Sequence, residues 1–295
     1  MKSKIFVLLL LGCTFVSAQT VPDSTSWYFP WEQRMEKATS IKEYQAIKKE
    51  FEQRYRNQPR ALLRLYLLYQ SHWYDILTRN LRSAKSDKER ALVIKSYGYG
   101  NRDAWEDFVL TVAHVADQAD TIPDTRLRDF ARMMQKSAKR IRFYRQLKTE
   151  GVPDFQFTDL QGKEHHFREF KGRYVLLSFW NRRSVPCMDE LPYLKKAQEA
   201  FKDKLQIVAV YVSFLEDPME KEIVRNLIKE MGLNWIHIVG PQGNALKKQF
   251  FIRTFPTNLV FDPDGRLLNR SLDSRMLLQG EKLQSTLKKY FDEKK

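Results

Sequence analysis

Two apolar runs, Tyr174-Val-Leu-Leu-Ser-Phe-Trp180 and Leu205-Gln-Ile-Val-Ala-Val-Tyr-Val212, most constrain what this chain can fold into. A strand with one solvated face alternates apolar and polar residues, whereas a near-continuous run marks a strand covered on both faces. Each run is followed by a helical stretch, from about Pro186 to Phe201 and from Asp217 to Met231. Trp235 to Val239 and Thr257 to Phe261 read as two further strands. The last turns at Asp262-Pro-Asp-Gly265 into an edge strand near Leu267, and Gly280 leads into a terminal helix ending at Phe291. Upstream, Phe155 and Phe157 alternate with polar residues, Asp159 to Gly162 form a turn, and Glu164 to Phe167 return as a hairpin. Strands alternating with helices predict an α/β domain with a mixed central sheet flanked by helices.

The preceding stretch has the period of helices. Ser40-Ile-Lys-Glu43 and Ser86-Asp-Lys-Glu89 are capping boxes. Ile41, Tyr44, Ile47, Phe51 and Tyr55 follow the first at three-to-four spacing, one apolar face. Pro59 starts a helix running to Leu81, and Gly98 and Gly100 interrupt the third. Asn101 opens a helix with Trp105, Phe108, Val109, Val112 and Val115 on its buried side, and Pro123 begins the last, to about Lys148. No repeat period appears. The expected organisation is a segment over residues 1–18, an all-α domain over 19–148 and the α/β domain over 149–295.

Residues 1–18 read as a secretory signal. Lys2 and Lys4 precede the apolar run Ile5 to Leu11, and Val16-Ser17-Ala18 supplies a small residue before a cut at Gln19. The alternative is lipid anchoring through Cys13, from the loose lipobox Leu10-Leu11-Gly12-Cys13. Export, expected to a bacterial periplasm, argues against nucleic acid as a partner for a chain of net charge +15. Arg128, Arg132, Lys136 and Arg140 recur at steps of four. They read as a solvated outer face whose stems cover apolar surface, with contact to an anionic membrane surface as the alternative. Only Cys13 and Cys187 occur, so a cut at Ala18 leaves one thiol and no internal disulfide.

The stretches VPDFQFTDLQGKEHHFREFKGRYVLLSFW (152–180) and FFIRTFPTNLVFDPDGRLL (250–268) resemble the TlpA-like and redoxin (AhpC/TSA-related) families of the thioredoxin superfamily. The resemblance spans about residues 150–293 and implies a thioredoxin fold. In these families a loop after the first core strand delivers Cys-x-x-Cys to a helix N-terminus, where the first thiolate attacks a substrate disulfide and the second resolves it. Here the loop reads Asn181-Arg182-Arg183-Ser184-Val185-Pro186-Cys187. The resemblance puts Ser184 at the attacking position and Cys187 at the resolving one. It puts Pro256 at the family's cis-proline and Trp180, Arg183, Pro186, Phe255 and Pro256 along the substrate groove. A buried carboxylate common six residues before the first cysteine is Ser178 here, and an aromatic before it is Arg183.

A serine lacks the acidity to replace a thiolate without a dedicated base. Ser184 reads instead as the helix N-cap, accepting from N–H groups near Cys187, with Pro186 in the first turn and Cys187 as a small apolar filler. Arg253 does not discriminate between active and inactive sites. His72, His114, His165, His166 and His237 show no metal-ligand spacing, so neither metal nor cofactor is expected. The residues favour an exported protein that binds a protein partner without dithiol exchange. The alternatives are a monothiol redox protein using Cys187 and a peroxiredoxin-like peroxidase using Ser184-x-x-Cys187, though Trp180 stands where the peroxiredoxin motif has proline.

Overall fold

A computed structural model describes residues 27–90, 102–119, 121–122, 124–213, 219–268 and 278–292. The expected signal segment, Cys13, Gly98, Gly100, Asn101, Pro123 and Asp217 lie outside these residues. The chain divides into two compact units, one up to Ala138 and one from Lys139.

The first unit is helical. Its described helices are α1 (Phe29–Lys37), α2 (Ile41–Arg54), α3 (Pro59–Ser83), α4 (Arg102–Asp117) and the start of α5 (Thr125–Thr149). Ser40 caps α2 as expected, its hydroxyl accepting from the Glu43 N–H at 3.2 Å. Glu43 reaches back to the N–H of Thr39 at 3.0 Å, one residue beyond the usual reciprocal partner. Ser86 and Glu89 do the same, with Lys85 as the outer donor. Tyr44, Ile47 and Phe51 bury the inner face of α2, and Tyr44 stacks on Tyr69 of α3 with centroids 4.5 Å apart. Trp105 departs from expectation. It lies at the open end of its helix, 48% exposed and stacked on Phe108, while Val109, Val112 and Val115 carry the burial.

The division between units falls inside α5. Its final turns belong to the second core: Tyr144 donates to the Phe250 carbonyl at 2.7 Å, and Leu147 accepts from Leu267 N at 2.9 Å. A two-stranded hairpin follows, β1 (Gln156–Thr158) and β2 (Glu164–His166), with Phe157 opposite His165. His165 is buried between Asp159 and Glu169, at 3.0 and 2.6 Å. Burial disfavours its charged ring, but the bonds to Glu169 and Asp159 outweigh that and raise its pKa.

The remaining elements are β3 (Tyr174–Trp180), α6 (Val185–Ala200), β4 (Leu205–Tyr211), α7 (Glu220–Glu230), β5 (Ile236–Ile238), α8 (Pro241–Gln249), β6 (Thr257–Phe261) and α9 (Lys282–Asp292). The strands form one mixed sheet in the order β5-β4-β3-β6, parallel except for β6. All seven residues of β3 are buried, as the apolar run predicts. Leu176 and Trp180 join the core with α6 and α9, and Val175, Leu177 and Phe179 join the opposite core with Leu246 of α8 and Phe250. A Cβ on Gly243 would lie 2.0 Å from the Tyr211 carbonyl oxygen, so only glycine lets α8 approach β4 this closely. Among the described residues the edge strand expected near Leu267 is a single bridge to Phe261, flanked by bonds from Asp262 N to Arg266 O and from Leu268 N to Val260 O, while the outward Leu267 N–H donates to Leu147. The architecture is a thioredoxin fold preceded by helices.

Candidate functional site

The site is built where β3 ends. Val212 N donates to the Trp180 carbonyl at 2.9 Å, carrying the β3–β4 pairing one step past the strands. Asn181, 1% exposed, donates through Nδ2 to Val212 O at 2.6 Å and accepts from Arg183 N at 2.8 Å. Arg182 then forks onto Glu220 at 3.0 and 2.8 Å, and the Tyr211 hydroxyl donates to the same carboxylate. The Arg182 guanidinium, above all, holds the Glu220 carboxyl below its ordinary range. Burial first, and Glu220 second, push the Tyr211 phenol upward.

This pair is a staple rather than a reactive centre, and it spans 38 positions of sequence. Removing one partner of a buried ion pair leaves the other charge uncompensated. Arg182→Ala is therefore expected to cost about 2 kcal/mol, read from urea unfolding monitored at the second unit. Adding Glu220→Gln should recover much of the loss; equal stability of wild type and Arg182→Ala would remove the staple.

Ser184 is at the N-cap of α6 with an extended backbone, as expected, but its side chain makes no capping bond. The second helical residue, Pro186, has no N–H to offer, and the Cys187 N–H is taken by the Ser184 main-chain carbonyl at 2.9 Å. The Ser184 side chain instead hydrogen-bonds the Cys187 side chain. Cys187 is 1% exposed, packed in the α6–α9 core with Leu191 and Trp180. Burial raises its thiol pKa; hydrogen bonds from Ser184 and the Asn181 backbone oppose this, and the nearby charge of Glu190 adds to it.

Glu190 is a buried titratable group that the sequence reading missed. It lies one turn after Cys187 on α6 and is 4% exposed. Its oxygens accept from Gly280 N at 2.7 Å and Asn258 Nδ2 at 3.3 Å. Burial pushes its pKa up to about 7, against the pull of those two donors. Ser178 pairs with Asn258 across the sheet, and its buried Oγ has no hydrogen-bond partner among the described residues. A carboxyl group thus reaches the interior from α6 and bonds Asn258, the cross-strand partner of Ser178. Spacing of three from Cys187 was the available signal.

The Phe255–Pro256 peptide is cis, matching the proline position implied by resemblance. The Phe179–Thr257 pairing brings Pro256 across from Trp180 at the end of the sheet where the loop departs. Pro256 itself is buried, with its carbonyl accepting from Gln279 Nε2 at 3.0 Å, and Phe255 is half-buried. Trp180 corrects the expected groove: at 1% exposure, its ring is edge-on to Tyr211 in the core and lines no surface. Its even-numbered place on β3 turns it to the same covered face as Leu176, toward α6 and α9. Arg183 and Pro186 are exposed, as is Val185 at 69%. Met219 and Ile223, also exposed, flank Glu220 in sequence. No metal-ligating cluster occurs among the described residues.

The AhpC/TSA family profile matches residues 149–270. The second unit is a redoxin domain of the thioredoxin superfamily. Among curated proteins, the chain is similar to the thiol-disulfide oxidoreductase ResA of Bacillus thuringiensis. The two are 29% identical over 141 residues, 47% of this chain and 73% of that protein. Thioredoxin-like protein YneN of Bacillus subtilis is 29% identical over 114 residues, 39% of this chain and 65% of that one. Among solved structures, the thioredoxin domain of a Bacteroides vulgatus thiol-disulfide oxidoreductase is 28% identical, covering 48% of this chain and 94% of its own, with a TM-score of 0.40. Within the redoxin domain, Ser184, Cys187, Glu190 and Pro256 belong to one end of the sheet and the helix that leaves it.

Proposed function

We propose that this redoxin domain performs no dithiol exchange and serves an exported protein as a binding module for a protein partner. The observation that carries the reading is Cys187: the domain's one thiol, enclosed in the core, with a hydroxyl three residues before it. Exchange needs an accessible thiolate, and burial opposes both access and ionisation. The surface beside the loop supports binding. Arg183, Val185 and Pro186 are exposed around the start of α6, supplying a cation and apolar contacts of the kind partners desolvate. The basic first residues and apolar run of the chain support export, and Ala18 is the proposed cut.

Reaction of the secreted protein, beginning at Gln19, with a thiol reagent tests this. Cys187 should label at least ~100-fold more slowly than a free thiol and at the free rate after unfolding. Insulin reduction and peroxide turnover should stay at background. Labelling at the free rate would establish a monothiol site, and peroxide turnover lost in Cys187→Ala would establish a peroxidase; either ends the binding-only reading. Exposed residues Arg183 and Val185, changed to Glu and Asp, should then weaken capture of the partner by the intact protein.

A further inference from the structure

A cleft of about 630 Å³ opens in the helical unit, lined in part by Trp27, Tyr55, Arg60, Arg64, Asp124 and Leu127. Its volume falls in the range of small-molecule sites, which combine apolar walls with a few placed polar groups. Trp27 is 46% exposed, yet its ring is fixed against Tyr55, with centroids 5.1 Å apart and planes tilted by 54°. An exposed indole held in place presents a flat apolar wall.

Among the described residues the charges in the cleft do not cancel. Arg64 bonds Asp124 at 2.6 Å and lies 5.2 Å over the Tyr28 ring, so that cation is matched. Arg60 is one turn earlier on α3 and exposed. Among the described residues it donates only to the Thr121 hydroxyl and has no carboxylate partner. It leaves most of a guanidinium fork available, the group best matched to a planar anion. The first turn of α3, whose early N–H groups lack helical acceptors, adds positive potential on the same side.

We propose that this cleft binds a small organic anion, a carboxylate borne on a flat apolar body, with Arg60 on the anion and Trp27 and Tyr55 on the body. An inorganic anion would leave the aromatic wall unused, and a neutral aromatic would leave Arg60 unmatched. The site lies in the helical unit, so it stands or falls independently of the proposed role of the redoxin domain.

Fluorescence titration of the intact protein with dansylglycine and its uncharged amide tests the assignment. Saturable one-to-one binding is expected, with the carboxylate preferred by about tenfold at low salt and less as salt rises. Arg60→Gln should bring dansylglycine down to the affinity of the amide and leave the amide unaffected; Trp27→Ala should weaken both. Both side chains are exposed, so the variants should melt with the wild type by circular dichroism. If Arg60→Gln alters the melt, the wild-type salt dependence of the two probes decides instead. Equal affinity for the two probes, no saturable binding, or indifference to Arg60→Gln would overturn the proposal.

Discussion

Glu190→Gln is expected to stabilise the redoxin domain by about 3 kcal/mol more at pH 8 than at pH 4.5. The sign follows from where the carboxyl holds its proton. In the unfolded chain it ionises near 4.5; in the fold, burial raises this to about 7. Below pH 4.5 both states are protonated. Between pH 4.5 and 7 the unfolded chain gives up its proton while the fold retains it, so stability falls as pH rises and levels off above 7. Glutamine is neutral throughout and keeps an oxygen for the Gly280 N–H. At about 1.4 kcal/mol per pH unit, the interval gives the stated magnitude to its order. Urea unfolding of both proteins at pH 4.5, 6 and 8 measures it, and the comparison cancels groups shared by the two, His165 included. Parallel stability curves would show that Glu190 ionises in the fold as freely as in water. The same variant should lower the Cys187 thiol pKa, since one source of its elevation is removed.

Ser184→Cys is expected to raise insulin reduction on the order of a thousandfold above the wild type. The substituted atom replaces a hydroxyl that already bonds the Cys187 sulfur, at a half-exposed position capping α6. The helix N-terminus that offers little to a serine hydroxyl favours a thiolate. Attack on a substrate disulfide would form a mixed disulfide, and Cys187 would displace the product thiol to close the internal bond. Mass spectrometry should find that bond, reversible with dithiothreitol. A variant that forms the bond but leaves insulin intact would place the limit on exchange outside the nucleophile; one that forms no bond would show the two side chains to be wrongly oriented.

Much of the fold is legible in the sequence because burial on both faces leaves a plain mark. The runs in β3 and β4, the Ser40 cap and the turn at Asp262 all register in residue order. What escaped depends on groups distant in the chain. Glu190 reads as a surface helix residue until Asn258 and Gly280 close over it. Arg182 and Glu220 form a pair only after β4 brings α7 to the loop. The resemblance puts Trp180 in a groove, although its place in a run covered on both faces already implies burial. Ser184 occupies the cap position without acting as a cap, because the neighbouring proline removes a donor. The turns of α5 around Tyr144 serve the second core although nothing in the helical pattern changes there.

The staple at Asn181 and Arg182 also determines what Cys187 can report. With that loop tied to Val212 and Glu220, the sulfur is expected to be uncovered by cooperative unfolding of the domain rather than by local fraying. When reclosing outpaces modification, the labelling rate follows the population of the open state. The Cys187 thiol is therefore a native gauge of conformational free energy. Its labelling at graded urea concentrations would give the stability of the redoxin domain apart from that of the helical unit, with no probe introduced.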